Sequence, residues 1–222
     1  FFTLQSNMGE YMQIVAALTD PADASLAQEQ GADIIELRFD LIEGDPLASV
    51  LVCRDACSLP VIGTIRSAQE GGQFFGDSAA WLEKICPVIP LVDYIDVEQR
   101  YASCIPVVKE PKTAIIASYH IGEMLPLPAL FAMERDLRTY GDIVKIVVTP
   151  HTEEDIIELI AFTQAIKKPV CTGVMGVQFR YARAILPFFG SRFVYCHTGT
   201  RTAEGQYSVQ DFISLRALLN NG

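Results

Sequence analysis

The chain predicts an α/β fold, a (β/α)8 TIM barrel in a single domain, on three observations. Eight short runs of apolar and β-branched residues recur along its 222 residues. Helix-spaced stretches alternate with them, and polar residues interrupt the carboxyl end of one run after another.

The runs fall at residues 14–18, 34–39, 61–65, 94–97, 114–118, 143–148, 170–174 and 193–195. Between them, helical spacing marks residues 21–30, 78–86, 128–140 and 153–167, several introduced by Asp, Ser or Thr at the expected cap. Residues 1–13 precede the pattern and are read as an N-terminal arm, with the barrel domain expected over residues 14–222. An open doubly wound sheet would carry a glycine-rich phosphate turn after its first strand. Here that turn reads Leu18-Thr19-Asp20-Pro21, without glycine, and the pair Gly71-Gly72 follows an acidic Glu70 that would repel an anion.

Half of the residues are hydrophobic, enough for a sizeable core. The charge balance of 17 Lys and Arg against 27 Asp and Glu gives −10. That net charge opposes attraction to nucleic-acid phosphates or an anionic membrane, so neither is an expected partner. No stretch approaches about 18 uninterrupted apolar residues, and no secretory signal pattern precedes the first run. A cytoplasmic enzyme is expected, or a plastid one after loss of a transit segment. The six cysteines form no C-x-x-C pair and read as reduced, buried thiols; no metal site is expected.

In a parallel barrel the active site forms at the carboxyl ends of the strands. The second run ends Glu36-Leu37-Arg38-Phe39-Asp40, where alternation sends Glu36, Arg38 and Asp40 to one face. The third ends in Arg66 and continues to Glu70-Gly71-Gly72, the fourth in Asp96-Val97-Glu98, and the fifth in Ser118-Tyr119-His120. Taken singly, each has an ordinary structural explanation, such as a satisfied ion pair or a hydrogen-bonded histidine. Lys145 differs. An ammonium inside Ile143-Val144-Lys145-Ile146-Val147 is costly to bury unless it gives up its proton or meets a carboxylate. Lysines so placed form Schiff bases with carbonyl substrates. His151 reads as the start of a helix, and His197 ends the eighth run with no second ligand at metal spacing.

These residues resemble type I 3-dehydroquinate dehydratase, the Schiff-base enzyme of the shikimate pathway of aromatic amino acid biosynthesis. The resemblance runs from about Ile14 to Leu219. It rests on the strand-end motifs above in their order, with Phe189-Gly190-Ser191 and Glu204-Gly205-Gln206-Tyr207-Ser208 near the end. It implies a carbon–oxygen lyase that converts 3-dehydroquinate to 3-dehydroshikimate without a cofactor. Lys145 would form the imine, His120 would serve as general acid and base, and Glu70 would orient His120. Arg183 would pair the substrate carboxylate, Thr202 and Gln206 would close over it, and Glu36, Arg38 and Arg66 would bind hydroxyls and tune Lys145. It further implies a homodimer, and in some lineages fusion to a shikimate dehydrogenase domain.

An imine-forming aldolase would share Lys145 but would need a glycine-rich phosphate site, for which the sequence offers Arg183 and Gly205-Gln206 instead. A barrel that only binds a metabolite is disfavoured by the presence of both Lys145 and His120. One stretch departs from the family. Where it has Met-Gly-x-x-Gly-x-x-Ser-Arg, this chain reads Met175-Gly176-Val177-Gln178-Phe179-Arg180-Tyr181-Ala182-Arg183. The change leaves Arg180, one helical turn earlier, as an alternative to Arg183 for the carboxylate, and the bulky Phe179 is expected to turn Arg180 outward and leave Arg183 at the mouth.

Overall fold

The structure, a computed structural model, describes residues 12–220. All eight runs form strands: β1 Gln13–Leu18, β2 Ile34–Arg38, β3 Val61–Thr64, β4 Tyr94–Glu98, β5 Ala114–His120, β6 Ile143–Val148, β7 Val170–Val174 and β8 Phe193–Cys196. The helices are α1 Ala24–Glu29, α2 Pro46–Ala56, α3 Ser78–Ile85, α4 Ile105–Val108, α5 Leu127–Arg138, α6 Glu153–Ala165, α7 Tyr181–Ile185 and α8 Val209–Asn220. β1 begins at Gln13, so only residues 1–11 of the expected arm lie outside the described residues.

Local chemistry sets the helix starts. Asp45 accepts from the amides of Leu47 and Ala48 ahead of Pro46, which opens α2. Thr152 and Asp155 form a capping box at α6, and Asp155 also accepts from the amide of His151, so this histidine belongs to the start of the helix.

From β1 to β7 consecutive strands pair in parallel, and β1 pairs with β8, in the order β7-β6-β5-β4-β3-β2-β1-β8. Between β7 and β8 the described residues form no ladder. There the barrel is drawn together by Arg192 N–H to Val170 O at 2.7 Å and by Ser191, whose hydroxyl accepts from Thr172 N and donates to Thr172 O at 3.0 and 2.9 Å.

Alternation along the strands sorts side chains into layers. A closed apolar floor takes one residue from each strand: Val15, Ile34, Ile62, Tyr94, Ile116, Ile143, Cys171 and Phe193. The outward positions make two further clusters. Ile14, Ala16, Leu18, Ile35 and Leu37 pack with Val50, Cys53, Trp81 and Phe212, while Val144, Ile146, Val148 and Val170 pack with Leu130, Leu159 and Phe162. Two residues above the floor, the inward positions turn polar at Glu36, Thr64, Asp96, Ser118 and Lys145. All six cysteines are free thiols, and only Cys86 is not buried. Among the described residues no helix is long and apolar enough to cross a membrane.

Candidate active site

The strand ends enclose a cavity of about 140 Å³ whose lining includes all nine predicted site residues: Glu36, Arg38, Arg66, Glu70, His120, Lys145, Arg183, Thr202 and Gln206. Lys145 stands on β6 between Ser118 of β5 and Cys171 of β7. It is 4% exposed and meets carboxylates: its Nζ lies 3.1 Å from Asp96 Oδ2 and 3.9 Å from Glu36 Oε1. Of the two ways to bury this ammonium, the molecule uses the ion pair.

Asp96 joins Lys145 to Arg66, which lies 2.8 Å from the same carboxylate oxygen, and the Ser118 hydroxyl donates to the other oxygen at 2.5 Å. Burial on its own would raise the Asp96 pKa, but Arg66 and Lys145 outweigh it and hold the carboxyl down at about 2. Arg66 also donates to Glu98 at 3.0 Å, Glu70 at 3.3 Å and Ser118 at 3.0 Å. Its guanidinium is therefore taken up by three carboxylates. Arg38 likewise makes a two-pronged bond to Asp40 at 2.8 and 2.7 Å, and Asp40 accepts in turn from the amides of Arg66 and Gln73.

The loop after β3 carries Glu70 to the site because it folds back on itself. Gly71 takes φ +86°, and a Cβ on Gly72 would lie 2.1 Å from Arg66 O, so only glycine fits there. Glu70 Oε2 then sits 2.9 Å from His120 Nδ1 and accepts from the His120 amide at 3.0 Å. Burial pushes the Glu70 carboxyl up to about 8, against the pull of Arg66 and with the help of Glu98 and Asp96. It pushes the His120 imidazole well below its usual value, assisted by the charges of Arg66, Lys145, Arg38 and Arg183. His120 is thus a neutral imidazole near pH 7, with the ring nitrogen far from Glu70 available to take a proton.

Across the mouth, Gln206 Oε1 accepts from the Thr202 and Ala203 amides at 2.9 and 3.2 Å, and its Nε2 donates to the Thr202 hydroxyl at 2.9 Å. Gly205, at φ +74°, packs this loop on the segment after β7: a Cβ there would meet Gly176 O at 2.6 Å. Arg183 reaches the cavity from α7 and donates to Glu204 O at 3.1 Å. It has no carboxylate partner among the described residues, and burial lowers its pKa to about 10, as does the nearby Arg180. Phe179 is buried in the loop wall, and Arg180 turns away from the cavity to lie 4.3 Å over the Tyr207 ring.

The chain as a whole has counterparts among known proteins. The sequence pattern described as Type I 3-dehydroquinase matches residues 16–221. The chain belongs to the type I 3-dehydroquinase family. The 3-dehydroquinate dehydratase of Methanoregula boonei is 60% identical over 209 residues, covering 94% of this chain and 100% of that protein. The crystal structure of 3-dehydroquinate dehydratase from Geobacillus kaustophilus superposes with a TM-score of 0.88 at 24% identity, over 96% of this chain and 93% of the other. The dehydroquinate dehydratase and shikimate dehydrogenase from S. pombe matches at TM-score 0.77 and 21% identity over 96% of this chain and 46% of its own. Membership gives the chain the activity of a type I 3-dehydroquinate dehydratase, a Schiff-base lyase of the shikimate pathway.

Two features of this 3-dehydroquinase site were not drawn from the sequence as site residues. Asp96 was weighed only as a strand-end ion pair, yet it is the nearest carboxylate to Lys145. Cys171, Gly173, Met175 and Tyr195 also line the cavity, and the signal for them was the same alternation, continued along β7 and β8. His197 does not line the cavity; Arg201 approaches its Nε2 at 3.4 Å.

Proposed function

We propose that Lys145 is the residue that forms the imine with 3-dehydroquinate, that His120 moves the protons, and that Glu70 holds His120 in place. The observation that carries this reading is the placing of Lys145 and the His120–Glu70 pair in one cavity, with Arg183, which has no carboxylate partner among the described residues, at its rim. The Lys145 amine adds to the ketone carbon, water departs, and the protonated imine keeps on Nζ a positive charge that Asp96 and Glu36 balance. The imine withdraws electrons from the adjacent C–H bond, and neutral His120 takes that proton. The electron pair left behind expels the β-hydroxyl, to which His120 returns the proton, so water leaves and His120 is restored. Hydrolysis of the imine then releases 3-dehydroshikimate.

Arg183 receives the substrate carboxylate, with Thr202 and Gln206 above it. Glu36, Arg38 and Arg66 shape the hydroxyl side. Since the donors of Arg66 are engaged by carboxylates, its part is to fix Glu70 and Asp96. The chemistry assigned to these side chains needs no cofactor and no metal. The domain over residues 14–222 acts in the cytoplasm, as a homodimer that covers exposed apolar residues such as Leu51 and Val52 on α2 and Leu218 on α8. Sedimentation of the purified chain tests that assembly. Fusion to a shikimate dehydrogenase domain, the pairing that the name of the S. pombe protein gives, is a further arrangement open to this domain.

Borohydride added during turnover tests the central step. It should leave the reduced ligand mass on the peptide holding Lys145, and Lys145→Ala should show none. Label on Lys109, Lys112 or Lys167 overturns the reading.

A further inference from the structure

Lys145 Nζ lies over the Tyr195 ring, 4.0 Å from its centre, and the Tyr195 hydroxyl is enclosed and has no hydrogen-bond partner among the described residues. A buried, unpaired hydroxyl costs free energy, so the ring is not placed for the sake of its hydroxyl. Its orientation comes from Phe193, which meets it edge-on at 6.3 Å and 89° within the apolar floor. Burial, with Glu36, Cys171 and Asp96 nearby, pushes the Tyr195 phenol well above its usual pKa. It stays uncharged, and what faces Lys145 is a neutral aromatic ring.

We infer that Tyr195 is a positioning residue for Lys145, its ring face carrying the charged nitrogen both as the ammonium and as the protonated imine. This rests on the Schiff-base reading above. An ammonium has three N–H donors and a protonated imine of lysine has one, so fewer N–H groups remain to face Asp96, a hydrogen-bond partner, and Glu36, an ion-pair partner, as the imine forms. An aromatic face attracts positive charge without requiring any N–H direction. It therefore keeps its hold while Nζ changes from tetrahedral to planar, and it favours the cationic adduct over the neutral amine.

The test replaces residue 195 with phenylalanine and with phenylalanines bearing one, two and three ring fluorines, which weaken the attraction for a cation at nearly constant shape. Tyr195→Phe should stay within about twofold of the parent. Across the fluorinated series kcat and the borohydride-trapped fraction on Lys145 should fall stepwise, by roughly threefold to thirtyfold in all, with KM changing less. Tyr195→Leu should lose at least as much. A flat fluorinated series with normal trapping overturns this inference and leaves the Schiff-base reading standing, as does a Tyr195→Phe loss as large as that of Tyr195→Leu. Absence of any trapped mass on Lys145 in the parent protein overturns the reading itself.

Discussion

One oxygen of Asp96 binds two buried cations of the site, lying 3.1 Å from Lys145 Nζ and 2.8 Å from Arg66. Asp96→Asn removes the charge and leaves two buried cations short of a partner. The expected cost is about 3–5 kcal/mol of folding stability. The difference should depend on pH with a defined sign. The folded carboxyl is held at about 2, below the unfolded value. Its contribution is therefore complete above about pH 4 and lost as pH falls toward 2. Denaturant titrations of both proteins across that range check this; a gap that does not narrow on acidification contradicts it.

His120 and Glu70 are expected to separate imine formation from proton transfer. His120→Ala should still yield borohydride-trapped Lys145 while turnover drops by about 10² or more. Glu70→Gln should be milder, because the side chain still accepts from the His120 amide.

The pH dependence follows from the same pair. The base works unprotonated, and burial with four nearby guanidinium or ammonium charges sets the His120 value well below 6.5. Activity as kcat/KM should rise with pH through a point below 6.5, and a second rise near 8 should follow Glu70, whose carboxyl burial holds up to about 8. A rise between pH 7 and 8 that survives Glu70→Gln would remove His120 from the role of base.

Arg183 and Arg180 differ by one helical turn and by environment. Arg183 lines the cavity without a carboxylate partner, whereas Arg180 lies against Tyr207. A charge-assisted bond to a desolvated carboxylate is worth about 1.5–3 kcal/mol. Arg183→Ala should raise KM by roughly tenfold to several hundredfold, and Arg180→Ala by less than about threefold. Steady-state kinetics of the two variants decide, and the reverse order would move the carboxylate site to Arg180.

The β3 loop offers a steric test. Gly72→Ala would drive a Cβ into Arg66 O at 2.1 Å, so the loop must shift and carry Glu70 away from His120. It should cost about 1–3 kcal/mol and lower kcat, while Gly199→Ala, where a Cβ meets nothing within 4 Å, should melt and turn over like the parent.

The sequence by itself determined the barrel and the facing of its side chains. Eight β-branched runs alternate with helices, and a period of two leaves no choice about which residues look inward once the hydrophobic ones are counted. That is why Glu36, Arg38, Arg66, His120 and Lys145 were legible as one cavity's lining. The glycines of Gly71-Gly72 likewise marked a tight loop bearing Glu70.

Tertiary structure decided the partners. Lys145 meets Asp96 across 49 positions of sequence and His120 meets Glu70 across 50, and such pairs are set by strand register and barrel curvature, which local pattern does not encode. The same geometry set Arg66 among three carboxylates, and closed the β7–β8 seam through Ser191. It also brought the Tyr195 ring of β8 to Lys145 of β6, because inward residues of strands that do not pair converge on the barrel axis and a charge there takes whichever face lies within reach.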